Sequence, residues 1–127
     1  MRLISMSKNR ETVIEEYDQG CQILHEERNY PDQYHFESPK GRMGTFESPH
    51  GARLYADLYT ITGGFDEKET GKRGVPPAIA GASEEVRMTY LAVQMSITYA
   101  AAAFDVDESV IKDAVNQIHA KVHQQRS

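Results

Sequence analysis

Ser83 to Phe104 reads SEEVRMTYLAVQMSITYAAAAF, and the way this stretch is taken decides the fold. Met88, Leu91, Ala92, Met95, Tyr99, Ala102 and Ala103 recur at helical spacing along one row, and Tyr90, Val93, Ile97, Ala101 and Phe104 along another nearly opposite. A helix that is apolar on almost every side is a buried helix. The spacing therefore predicts a central buried helix over 83–104, capped by Ser83, with Glu84 and Glu85 set against its positive end. The small residues Ala100 to Ala103 suit close approach of another helix backbone.

On the C-terminal side, Asp105-Val106-Asp107-Glu108 has the D-x-x-E spacing of a capping-box variant. It predicts a last helix over 106–124 whose apolar face is Val110, Ile111, Ala114, Val115, Ile118 and Val122. The short join to the central helix suits an αα-hairpin, or a last helix directed toward another subunit. On the N-terminal side, Val75 to Ile79 is expected to lie as an extended apolar strap, preceded by a loop with Gly71-Lys72-Arg73-Gly74 at its centre. That loop fails the phosphate-binding pattern in both spacing and the residue after the lysine.

Residues 31 to 51 hold a near repeat, Phe36-Glu37-Ser38-Pro39-Lys40-Gly41 followed by Phe46-Glu47-Ser48-Pro49-His50-Gly51. Ser-Pro-x-Gly suits a β-turn, so one reading is two turns with a short hairpin through Tyr34 to Glu37 and Met43 to Glu47. The other is two equivalent loops offering rings and guanidinium groups to one ligand. The second Ser-Pro also suits a helix start, with Ser48 as cap and Pro49 as first residue. Leu54, Tyr55, Leu58, Tyr59 and Ile61 then predict a helix over 49–62 closed by Gly63-Gly64, although the same residues also fit a strand.

Near the N-terminus, Leu3, Ile4 and Met6 suit a strand or a packed arm, and Ser7 or Asn9 suits a helix cap. Val13, Ile14, Tyr17, Cys21 and Leu24 fall at helical spacing opposite a row of Glu11, Glu15 and Asp18, which predicts a helix over 8–29 ended by Asn29-Tyr30-Pro31. Gly20 inside it carries a cost of about 1 kcal/mol relative to alanine. The expected fold is thus one mainly α domain of 127 residues, four helices around a central buried one, with an irregular or hairpin-containing middle. Three amphipathic neighbours cover such a helix only in part, so a second subunit, in a homodimer or higher oligomer, is expected to complete its burial.

Composition narrows function mostly by exclusion. A net charge of −5 without a basic stripe argues against nucleic acid. The single cysteine, Cys21, excludes an internal disulfide or a cysteine-rich zinc cluster and suits a reducing cytoplasm. The start lacks a signal-peptide core and no apolar run is long enough for a membrane span, so a soluble cytoplasmic protein is expected. No nucleophile elbow, zinc-protease helix or dinucleotide fingerprint occurs. His119 and His123 are spaced to share a metal ion, but no third ligand is marked, so they read as structural, as does the Glu11, Glu15 and Asp18 row. His25, His35 and His50 join a site only through a fold that the sequence does not give.

The expectation is a small non-catalytic binding or regulatory protein with neither metal nor cofactor, taking a small anionic ligand in its middle loops. Arg42, Arg53, Lys72 and Arg73 are the candidate anion contacts, and Phe36, Phe46, Tyr55 and Tyr59 the candidate ring contacts. The alternatives are a subunit that docks on a larger protein partner, and a metal-dependent hydrolase.

Overall fold

A computed structural model describes residues 10–28, 31–65 and 75–126. The fold is α+β, which corrects the mainly α expectation. Four strands, β1 (Arg10–Glu16), β2 (Gln22–Glu27), β3 (Gln33–Ser38) and β4 (Gly41–Phe46), form an antiparallel sheet in the order β1-β2-β3-β4. Helices follow: α1 (Pro49–Ile61), the single turn α2 (Pro77–Ala80), α3 (Glu84–Gln94), α4 (Ile97–Phe104) and α5 (Glu108–Arg126). The chain forms two compact units, one ending at Arg53 and one beginning at Leu54, and the boundary falls within α1.

The helix expected over 8–29 is the β1–β2 hairpin. Its apolar spacing fits either period, but Thr12, Val13 and Ile14 are β-branched and favour the pleated backbone. Gly20 decides the matter. It lies at φ +79° beside Gln19 at φ +66°, in a turn closed by the Tyr17 N–H donating to the Cys21 carbonyl at 2.8 Å. A Cβ there would also meet Pro39 Cγ at 3.0 Å, so the position needs glycine on both counts. The expected caps Ser7 and Asn9, the Leu3–Met6 lead and the Asn29-Tyr30 stop lie outside the described residues.

The two Ser-Pro copies do different work. The first turns β3 into β4, with the Ser38 hydroxyl accepting from the Lys40 N–H at 3.1 Å. The second starts α1, where the Ser48 hydroxyl accepts from the Gly51 N–H at 3.1 Å. Gly64, at φ +101°, closes α1 by donating to the Tyr59 carbonyl at 2.8 Å.

The central helix is broken, which corrects the post expected over 83–104. Ser83 caps α3 as the sequence predicts, but Met95 leaves helical geometry at φ −118°, ψ −82°. Ser96 then caps a new helix by accepting from the Tyr99 N–H at 2.9 Å. Each apolar row is thereby divided between two helices: Met88 is buried in α3, whereas Met95 at the break is 57% and Tyr99 in α4 51% exposed. Asp105, at φ 57°, ends α4 in left-handed geometry instead of opening α5. Val75 to Ile79 is not an extended strap either, since Pro77 starts α2 and buries Ile79. Met88, Ala100, Ala101, Ile111 and Ala114 form the core that α3, α4 and α5 share, and Phe65 meets Tyr55, Tyr59 and Tyr90 in an aromatic cluster at 5.5–6.1 Å.

Candidate metal centre

Strand register decides which side chains meet, because cross-strand partners share a face and faces alternate along each strand. Ile23 pairs with Phe36, both buried, and His25 with Tyr34; these mark the apolar face of the sheet. Tyr17 meets Phe36 edge-on at 6.4 Å. The opposite face is mostly polar, with Val13 and Leu24 as its apolar pair. Glu11 pairs with Glu26, Leu24 with His35, His35 with Thr45, and Glu37 with Arg42.

On that face His35 and Glu26 are almost wholly out of water, with side chains 4% and 8% exposed. His35 Nε2 lies 2.6 Å from Glu26 Oε1, and its Nδ1 lies 2.8 Å from Thr45 Oγ1. An ionised carboxylate only accepts, so a proton or a cation must sit between Nε2 and Oε1. Buried charge of this kind is costly unless fully paired. Glu11 completes the group: one donor atom from each of Glu11, Glu26 and His35 lies within 4.8 Å of the other two. Among the described residues no other three His, Cys, Asp or Glu side chains come this close.

Arg42 supplies the local positive charge. It donates to Glu37 Oε2 at 2.7 and 3.0 Å and to Glu11 Oε1 at 3.1 Å, linking β4 to β1 across the inner strands. Burial lowers the affinity of this guanidinium for its proton, but the bonds to Glu37 and Glu11 outweigh that and raise its pKa. The cluster thus sets one guanidinium against three carboxylates, Glu11 and Glu37 bonded to Arg42 and Glu26 bonded to His35.

One imidazole and two carboxylates form a nitrogen and oxygen donor set that suits first-row divalent ions, with further positions left for water. Thr45 would serve as the outer partner: if His35 Nδ1–H donates to its hydroxyl, the Nε2 lone pair faces the ion. With tetrahedral metal–ligand bonds of about 2.0–2.2 Å two donors stand roughly 3.3–3.6 Å apart, so capture of an ion has to open the 2.6 Å His35–Glu26 contact by about 1 Å.

The residues expected to hold an anion are placed as follows. Phe36 is buried on the apolar face, and Phe46 is half-buried on that face. Arg42 lies on the opposite face, so one Ser-Pro copy does not present a ring and a guanidinium together. Arg53 is bonded by Glu15, which raises its pKa against the opposing effect of burial. Tyr55 is buried and Tyr59 half-buried in the aromatic cluster of the other unit, and Lys72 and Arg73 lie outside the described residues. The carboxylate row of the expected first helix divides, because Glu11 pairs with Glu26 on the polar face and Glu15 pairs with Ile23 on the other. Cys21 is buried, and burial pushes its thiol pKa up, which fits a core residue.

Glu26 and His35 were not distinguished by the sequence. The alternation Tyr34, His35, Phe36, Glu37 was the available sign of a strand with one polar face. Comparison with family models, with curated proteins and with solved structures gives no match for this chain.

Proposed function

We propose that the protein binds a first-row divalent metal ion, with Zn²⁺ the first candidate, on the polar face of its sheet through Glu11, Glu26 and His35. The single observation that carries this is the buried contact of His35 Nε2 with Glu26 Oε1 at 2.6 Å, with a third donor in reach. The role is non-catalytic and regulatory. Its ligands come from three adjacent strands, so the ion ties the edge strand β1 to β2 and β3. Binding stabilises a folded state in proportion to the logarithm of the ligand excess, by about 2.7 kcal/mol at a hundredfold excess over Kd.

A thermal-shift screen tests this against the anionic-ligand reading, which retains Lys72 and Arg73 while Arg42 and Arg53 face carboxylates of their own chain. Zn²⁺ or Mn²⁺ raises the melting temperature and phosphate or carboxylate metabolites do not. The reverse pattern returns the assignment to an anion. No helix among the described residues is long and apolar enough to cross a membrane, and the lone buried cysteine suits a reducing cytoplasm, where we place the protein.

Self-association is the second reading, favoured by the exposure of Tyr99, Ala102 and Ala103 along one stripe of α4, with Met95 exposed at the break before it. In an antiparallel pair of α4 helices the bulky end of this stripe meets the small end of its copy. Light scattering is expected to report a dimer that Tyr99→Lys converts to monomer. A wild-type monomer at micromolar concentration removes this reading.

A further inference from the structure

The helical unit carries a second histidine constellation that the sheet site leaves unused. His119 and His123 lie one turn apart on α5, their ring centroids 6.4 Å apart and their planes within 25° of parallel. Ile111, Ala114, Ile118 and Val122 are buried along the same helix and fix its backbone, so the pair projects from a rigid support. The sequence marks no third group, and the fold supplies one. Asp57 of α1, its side chain 8% exposed, lies 3.0 Å from His119 Nδ1.

An ionised Asp57 only accepts, so His119 Nδ1 carries the hydrogen and the Nε2 lone pair is left for another partner. The His119 side chain is 70% exposed, so that nitrogen is accessible to solvent ions. A carboxylate behind a histidine is the arrangement that orients metal-binding imidazoles and raises their basicity. We propose that His119 and His123 chelate an imidazole-preferring ion, Cu²⁺ above Zn²⁺, with Asp57 as the positioning residue that holds His119 in the ligating tautomer. An ion about 2.0–2.1 Å from each nitrogen sits roughly 3 Å from each ring centre. Chelation requires the two rings to turn from their near-parallel arrangement so that each directs a nitrogen at the ion. Two protein ligands leave the remaining positions to water or to an incoming donor.

The site is independent of the sheet cluster, since none of its residues is shared, and paramagnetic broadening separates the two. Cu²⁺ added below one equivalent to the full-length protein is expected to broaden backbone amide signals around residues 118–123. His123→Gln is expected to weaken that broadening at least tenfold in apparent affinity. Asp57→Asn is expected to weaken it several-fold with both imidazoles still present, a loss that a chance surface chelate would not show. His123 is exposed, so His123→Gln keeps the test readable if Asp57→Asn does not fold. Broadening confined to the sheet, or unchanged affinity in either folded variant, overturns the proposal.

Discussion

Two histidine–carboxylate pairs in this chain have nearly the same separation and opposite surroundings. In the sheet, His35 and Glu26 are both buried, at 2.6 Å. In the helical unit, Asp57 is buried but His119 stands in solvent, at 3.0 Å. The difference lies in what each pair can do without its partner. A buried carboxylate that loses its imidazole has no water to replace it, so the sheet pair is bound to the stability of its unit. An exposed imidazole that loses its carboxylate is rehydrated, so the helical pair is bound to orientation and ligand capture more than to folding.

The largest effect expected from breaking this contrast is in the sheet. His35→Ala leaves Glu26 buried and unpaired, and chemical denaturation should show a loss of about 3–5 kcal/mol. Replacing both, as Glu26→Leu with His35→Leu, should recover most of that loss, because an apolar pair of similar volume needs no desolvation repaid. A double variant as unstable as the single one would show that the burial of charge is not what the pair resolves.

The helical pair should respond far less. His119→Ala is expected to cost about 1 kcal/mol or less, since the side chain it removes is 70% exposed and water entering its place can hydrogen-bond the Asp57 carboxylate. A loss as large as that of His35→Ala would remove the distinction between the two pairs. The smallest effect belongs to a third pair, His25 with Asp32 at 2.9 Å, backed by the Arg28 N–H. The His25 hydrogen bond, then that of Arg28, holds the Asp32 carboxyl below its ordinary value of 3.8. A lowered folded-state pKa means that this contribution is present above 3.8 and is lost as pH falls through the lower folded value. Asp32→Asn should therefore flatten the acid limb of the stability profile below about pH 4 and leave neutral pH nearly unchanged. An unchanged acid limb would show that the pair contributes nothing.

The same contrast explains what the sequence made legible. Helices with local punctuation were readable: Ser48-Pro49 and Gly63-Gly64 bracket α1, and Ser83 caps α3. The β1–β2 hairpin was not, because Val13, Ile14, Tyr17, Cys21 and Leu24 satisfy a helical period as well, and the turn at Gly20 resembles a tolerated glycine until its φ is known. The break at Met95 was hidden by apolar residues on both sides, with Ser96 its one local mark. For the sites the division is sharper. His119 and His123 were visible as a pair because helical spacing alone joins them, whereas Asp57 arrives from α1. Glu11, Glu26 and His35 meet only through strand register, and a slip of one residue would send each side chain to the other face.

The central claim is that the sheet cluster holds a metal ion, and calorimetric titration of Zn²⁺ into the wild-type chain and into the Glu26→Leu, His35→Leu double variant tests it most directly. The wild type is predicted to bind one more equivalent than the double variant, with the remaining equivalent abolished by His123→Gln. Equal stoichiometry in a folded double variant would contradict the claim and leave the polar face of the sheet a closed network of hydrogen bonds and ion pairs.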